Sequence, residues 1–331
     1  MEYLSAFGRH ISDFIGQKQA LGYKYQSEQG ILKRFDLFCK ERYPEETALN
    51  REIMLDWASS RPHEHPATLQ GRVTPVQEFA KYTARLELPS FILPPKMLPQ
   101  IPRYLPHIYS GEELKKIFEQ TDKCHYCAEV PYRHYVMPVF FRLLYSCGLR
   151  LSEARLLKVS DVDLESGIIT IKNAKLGKHR QIPVSPQMLD IMKIYYQNVH
   201  LFSKPDDWFF PGGYRGSVMR TDSLEKNFRR FLWNARISHS GRSKIPGQTG
   251  GPRIHDLRHT FSVNCLRKWV LDEKDLRAYM PVLQAYLGHV SYSDTAYYLH
   301  LTADLFPNIV EKVQYALGDI IPKVGDYVEA D

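Results

Sequence analysis

The chain has 331 residues, enough for two domains with packed cores. Apolar residues make up 44% and charged residues 24%, an ordinary globular balance that excludes wholesale disorder, while the net charge of +7 suits a polyanionic partner such as nucleic acid. No run of about 20 apolar residues is present, so a membrane-spanning helix is not expected, and the amino-terminal segment carries charges inside its apolar run, unlike a signal peptide.

The first hundred residues read as helices. Residues 3–21 place Leu4, Phe7, Ile11, Phe14 and Ile15 close to a helical period. A second run, with Ile31, Leu32, Phe35, Leu37 and Phe38, ends near Tyr43-Pro44. Asn50 is the expected cap of a third helix holding Ile53, Met54 and Trp57, which stops before Pro62. A fourth helix is expected over residues 67–86, with Pro75 as a point of kinking or breakage. Basic residues of this module, Lys24 and Arg72 among them, are expected at its surface. Pro89, Pro94, Pro95, Pro99, Pro102 and Pro106 then crowd one short stretch, which prevents both helix and central strand and reads as an extended linker. The expected organisation is a helical module over 1–90, a linker over 91–107 and a larger domain over 108–331.

Ser110 and Glu113 form a capping-box pattern opening a helix through Phe118. Residues 134–146 read as a buried helix closed by Gly148, followed by a short helix over 152–157. Segments 167–172 and 181–184 alternate in strand fashion around Gly177. They predict a hairpin with a basic tip of Lys172, Lys175, Lys178, His179 and Arg180. Helices are expected over 186–200 and 222–237, and a basic Gly/Ser-rich loop over 238–251. The fold class is therefore mostly α with a small β-sheet, α+β.

The five cysteines, Cys39, Cys124, Cys127, Cys147 and Cys265, are odd in number and mostly scattered, which argues against a disulfide framework and for a reduced, cytoplasmic protein. Cys124 and Cys127 have zinc-ligand spacing, with His134 nearby, but no second pair accompanies them. The segment reads as a loop, and no metal is assigned.

Three islands carry chemistry: Cys147-Gly-Leu-Arg150-Leu-Ser-Glu153, Arg253-Ile-His255-Asp-Leu-Arg258-His259, and Leu287-Gly-His289 running on to Tyr297-Tyr298. His255 and Arg258 are three apart, so on a helix they share a face. Near a helix start they meet free amides and the positive end of the dipole, which attract phosphate. A guanidinium grips two phosphate oxygens at once and an imidazole shuttles protons. That spacing alone is common by chance.

The set of islands, in this order, resembles the phage integrase, or tyrosine recombinase, family, over the whole second half of the chain. The amino-terminal helices resemble the family's core-binding domain less specifically. The resemblance implies a C-shaped DNA clamp of two domains. It implies that Arg150 and Arg258 hold the scissile phosphate, that Lys175 protonates the departing 5′ oxygen, that His255 transfers a proton and that His289 hydrogen-bonds the phosphate. Tyr298 is the implied nucleophile, forming a 3′-phosphotyrosyl link. Lys178, three residues beyond Lys175, is the alternative for the hairpin role. Tyr297 and Tyr298 point about 100° apart on a helix, so only one faces the phosphate. A phenol has a pKa of about 10 and needs a cationic site to attack at neutral pH. No cofactor is implied, neither metal nor ATP. Lys24, Arg72, Lys172, Lys178 and Arg180 are expected contacts to DNA. The implied partners are double-stranded DNA and further copies of the chain: a monomer in solution, a tetramer on DNA, with a helix near residues 304–317 docking on a neighbour. Rival readings are a type IB topoisomerase-like nicking and resealing enzyme and a catalytically silent DNA-binding protein on the same scaffold.

Overall fold

The computed structural model describes residues 3–99, 104–172, 179–213, 216–238 and 251–305. The chain divides into two compact units, with the boundary between Leu105 and Pro106.

The first unit contains α1 (Gly8–Ala20), α2 (Gln26–Arg42), α3 (Arg51–Trp57) and α4 (Pro66–Arg85). Its first helix starts later than the apolar period suggests. The amides of Leu4 and Ser5 and the Ser5 hydroxyl instead bind the buried Asp36 carboxylate of α2, at 2.6, 3.1 and 2.6 Å. A buried carboxylate must find donors, and here it draws them from the chain ahead of α1. Asn50 caps α3 as expected, its Oδ1 accepting from the Ile53 amide at 2.9 Å. Pro75 sits inside α4 without interrupting it. The core gathers Ile11, Phe14, Phe35, Trp57, Val76 and Phe79, with Phe35 and Trp57 edge to face at 5.2 Å.

Arg72 is not a surface residue. Its guanidinium is buried against Glu64 in a bidentate pair of 2.9 and 2.7 Å and also donates to the Trp57 and Ser59 carbonyls. It lies 5.1 Å over the Trp57 ring. Arg72 therefore ties the end of α3 to α4 and is not exposed to contact DNA. The proline-rich stretch is also bound up in this unit. The Phe91 amide donates to the Leu49 carbonyl at 2.7 Å, and Leu93 is fully buried. Side chains of α4 take the carbonyls of Leu93 and Pro99 through Gln77 and Gln70, at 2.7 and 3.2 Å. Residues 91–99 thus run along the helices as a strap, broken by a 3-10 turn at Pro95–Met97.

The second unit contains α5 (Gly111–Asp122), α6 (Arg133–Ser146), α7 (Leu151–Arg155), β1 (Val162–Asp163), β2 (Ile168–Ile171), β3 (Arg180–Pro183), α8 (Pro186–Val199), α9 (Thr221–Asn234), α10 (Asp256–Leu271), α11 (Leu276–Leu287) and α12 (Tyr292–Ala296). The Ser110–Glu113 capping box is formed, at 3.1 and 2.8 Å. The sheet is antiparallel in the order β1-β2-β3, with Ile169 facing Val162 on one side and Ile182 on the other. The hairpin tip, 173–178, lies outside the described residues, and so do Lys175 and Lys178. Beyond Ala296 the chain turns into a 3-10 segment, Tyr297–Leu305. The expected helix near 304–317 lies outside the described residues from 306 onward.

The larger core joins Phe140, Phe141, Ile169, Ile182, Phe210 and Phe228. A second, smaller core joins Val263 and Leu266 of α10 to Met280, Leu283 and Leu287 of α11, with Tyr298 packed among them. Cys147 and Leu149 of the first island and Ile254 and Leu257 of the second belong to the larger core, whereas Leu287 and Tyr298 of the third belong to the smaller one.

Candidate active site

The site begins with the turn after α6. Gly148 adopts φ +55, and a Cβ there would stand 2.5 Å from the Phe261 ring and 3.0 Å from Leu287. Only glycine lets this turn press against α10 and α11. Arg150 follows at the start of α7. His255 stands at the start of α10, and Asp256 closes that helix end by accepting from the Arg253 amide at 2.9 Å.

Three guanidiniums meet three successive carbonyls where α11 ends. The Tyr286 carbonyl accepts from Arg180 Nε at 3.0 Å, the Leu287 carbonyl from Arg258 Nη2 at 2.8 Å, and the Gly288 carbonyl from Arg150 Nη2 at 3.1 Å. The last carbonyls of a helix lack partners within it and carry the negative end of its dipole, so they attract cations. Arg258 also donates to the Gly148 carbonyl at 2.7 Å, which ties the α6–α7 turn to the end of α11. It is 2% exposed. Burial, then the charge of Arg150, pushes its pKa down to about 10, so it stays charged at neutral pH. A guanidinium has five N–H bonds, and two carbonyls leave donor capacity for an oxyanion.

Glu153 binds two of these arginines. Its carboxylate accepts from Arg150 Nη1 at 2.9 Å, from the Arg150 amide at 2.8 Å, and from both Nη atoms of Arg180 at 2.9 and 2.8 Å. Burial alone would raise its pKa. The Arg180 pair and charge, with the Arg150 amide and charge, outweigh that and hold it at about 2.

Next in the chain, Gly288 adopts φ +66 and His289 follows it. The His289 ring stacks on Tyr298, centroids 6.0 Å apart and planes at 21°. The His259 ring lies 5.6 Å from Tyr298 and 4.8 Å from His255. All three imidazoles are held neutral. His255 is pushed down to about 4 by desolvation and then by Arg258, Arg253 and Arg150, although the residue as a whole is exposed. His289 is pushed to about 4 and His259 to about 3, each by burial first. Tyr298 is 3% exposed, whereas Tyr297 is partly exposed. Of the adjacent tyrosines, Tyr298 is the one stacked on His289.

Arg150, His255, Arg258, His289 and Tyr298 thus come together within the second unit. Other expected residues do not behave as anticipated. Arg180 is not an open DNA contact: its side chain is 11% exposed and committed to Glu153 and Tyr286. Lys172 is half exposed and paired with the buried Asp161 at 2.6 Å. Lys24 is exposed on the first unit. Cys127 lies 2.8 Å from the Glu129 carboxylate, and His134 packs between the Tyr126 and Tyr135 rings.

The sequence reading overlooked several features. The pairing of Glu153 with Arg180 is one, since Arg180 was expected to contact DNA. Thr295, whose hydroxyl meets His289 Nδ1 at 2.8 Å, is another. A third is the outer face of α9 and its end, where Lys226, Arg229, Arg230, Trp233 and Arg236 are all exposed and Trp233 is 77% accessible. Their spacing at three and four residues was the signal available.

The fold is that of DNA recombinases already solved. Similarity extends over 87% of this chain and 78% of a XerH site-specific recombinase bound to palindromic difH substrate, with TM-score 0.59 and 19% identity. It extends over 87% of this chain and 94% of the Tn1549 transposon integrase in complex with transposon right end DNA, with TM-score 0.59 and 14% identity. Residues 109–304 match the model of the phage integrase family, and the chain belongs to that family, the tyrosine recombinases, enzymes that transfer DNA strands. In sequence it is 28% identical over 318 residues to a candidate integrase/recombinase, y4rB, of Sinorhizobium fredii, covering 94% of this chain and 98% of that protein. It is 31% identical over 216 residues to the tyrosine recombinase XerA of Pyrococcus furiosus, covering 65% of this chain and 64% of that one. Among the described residues no helix is long and apolar enough to cross a membrane.

Proposed function

We propose that this protein is a site-specific DNA recombinase that breaks and rejoins strands through Tyr298. The observation that carries this reading is the Tyr298 ring stacked on His289, one residue beyond the carbonyl that receives Arg150 and two beyond the one that receives Arg258. Arg150 and Arg258 hold the scissile phosphate and stabilise the charge that builds on its oxygens in the transition state. His289 donates to the same phosphate. His255, uncharged at neutral pH, takes the proton of the Tyr298 hydroxyl, and the arriving phosphate anion offsets the nearby guanidiniums and makes it a better base. The phenol oxygen attacks phosphorus, the bond to the 5′ oxygen breaks, and Lys175 from the hairpin tip protonates that oxygen. The product is a 3′-phosphotyrosyl link and a 5′ hydroxyl. A 5′ hydroxyl of the partner strand then reverses the step, and two rounds pass through a Holliday junction. Fixed cations supply the charge stabilisation, so the chemistry requires neither metal nor ATP.

In this reading residues 108–331 form the catalytic domain, and residues 1–90, with the strap that follows, form a DNA-binding module. Lys24, Lys172, Lys178 and the outer face of α9 contact phosphates. Affinity then falls steeply with salt. The working assembly is a tetramer on DNA, formed from monomers, with residues near 304–317 docking on the neighbouring copy, in the cytoplasm. A nicked suicide duplex tests the chemistry. A covalent protein–DNA adduct on a denaturing gel is expected from the natural protein and none from Tyr298→Phe. Strand exchange between two labelled duplexes separates recombination from nicking and resealing on one.

A further inference from the structure

Arg180 is the arginine at the end of α11 to which the chemistry above gives no part. We infer that Arg180 is a positioning residue for Arg150, acting through the Glu153 carboxylate they share. It is the first residue of β3, on the far strand of the hairpin whose tip carries Lys175. Both its Nη atoms bind Glu153, at 2.9 and 2.8 Å, while its Nε binds the Tyr286 carbonyl at 3.0 Å. The Glu153 side chain is 4% exposed, and a carboxylate so buried stays ionised only with partners at hand. Once ionised, it holds Arg150 Nη1 at 2.9 Å, and that bond turns Arg150 Nη2 onto the Gly288 carbonyl. The backbone is shaped around this guanidinium: a Cβ on Gly288 would lie 2.7 Å from Arg180 Nη1. A planar fork that grips a carboxylate with two nitrogens and a carbonyl with a third is only partly replaced by the point charge of a lysine. Arg180 therefore links the hairpin strand, the phosphate-holding Arg150 and the helix end that precedes His289.

This inference rests on the recombinase reading for Arg150's role, so its test has two readouts. The full-length protein and its Arg180→Gln, Arg180→Lys, Glu153→Gln and doubly substituted Arg180→Gln/Glu153→Gln forms are compared. The first readout needs no DNA: the Nε–Hε proton–nitrogen signal of the Arg150 guanidinium, assigned by its loss in Arg150→Lys. The second is the single-turnover rate of covalent adduct on a pool of nicked duplexes of randomised sequence, with DNA binding measured alongside. Arg180→Gln is expected to shift the Arg150 signal and to slow the adduct by about ten- to a hundredfold, with DNA binding retained. Arg180→Lys recovers part of the rate, and the double variant is no slower than Glu153→Gln, because both act on Arg150 by one route. Arg72→Gln, which weakens the other unit, serves as the control for loss of stability. An unmoved Arg150 signal in Arg180→Gln overturns the inference. So does a rate loss no larger than that of the control at matched melting temperature. If the natural protein yields no adduct at all, the recombinase reading falls, and the Arg150 signal still decides the role of Arg180.

Discussion

His289 Nδ1 lies 2.8 Å from the hydroxyl of Thr295, a residue wholly buried three positions before Tyr298. One hydrogen bond thus fixes the ring against which the tyrosine is stacked and leaves Nε2 as the nitrogen able to address a phosphate. Thr295→Val keeps the shape and removes the partner. It is expected to slow adduct formation about tenfold or more, whereas Thr295→Ser retains most of the rate.

The two adjacent tyrosines give a sharper contrast. Tyr298→Phe is expected to abolish the covalent adduct while DNA binding persists. Tyr297→Phe is expected to leave the adduct in place, because its ring is not the one stacked on His289. An adduct surviving in Tyr298→Phe and lost in Tyr297→Phe would reassign the nucleophile.

The imidazoles should titrate far into acid. His255 and His289, pushed from 6.5 to about 4, and His259, pushed to about 3, are expected to remain neutral at pH 6 when followed by their ring proton and carbon shifts. The sign for stability follows from the unfolded chain binding protons that the folded one refuses. Stability is complete above pH 6.5 and declines as the pH falls from there toward 4. A urea midpoint that stays level between pH 7 and pH 5 would count against this.

Glu153 acts at lower pH. Its folded pKa of about 2 lies below the ordinary 4.5, so its contribution is present above 4.5 and is lost as the pH falls toward 2. The full difference is about 3 kcal/mol. Glu153→Gln, which leaves Arg150 and Arg180 facing an uncharged amide, is expected to lose about 3 kcal/mol at pH 7 in denaturant unfolding and to flatten the acid limb below pH 4.5.

Gly288→Ala should affect both stability and chemistry. The residue has φ +66, and the added carbon would lie 2.7 Å from Arg180 Nη1. Strain of about 1 kcal/mol comes from the backbone alone. Displacement of the guanidinium is expected to add to it, seen as a lower melting temperature together with a slower adduct.

Features that depend on close neighbours in sequence were legible. The Asn50 cap, the Ser110–Glu113 box and the β2–β3 pairing each depend on a few adjacent residues. The three islands were legible as a set because their order and residue types are so constrained. Arg72 and Arg180 were misread as open basic residues, since what buries them lies elsewhere: Glu64 and the α3 end for one, and for the other Glu153 and Tyr286, 27 and 106 residues away. A count of charges along the chain carries no information on such partners. β1 is two residues long, too short to show alternation. α11 was not assigned from the sequence, although Leu276, Met280, Leu283 and Leu287 stand three and four residues apart.

The near-complete enclosure of Tyr298 bears on how the reaction would end. On the proposed mechanism, the ester would be carried by a ring packed in one cluster with Val263, Leu266, Leu283 and Leu287, apolar side chains that leave bulk water little room. Hydrolysis, which would leave a permanent break in the duplex, needs a water molecule delivered and activated at the same phosphorus. A DNA hydroxyl arrives already tethered to its strand. If Tyr298 carries the ester as proposed, the apolar packing around one phenol would guard the duplex against a permanent break as well as form part of the core.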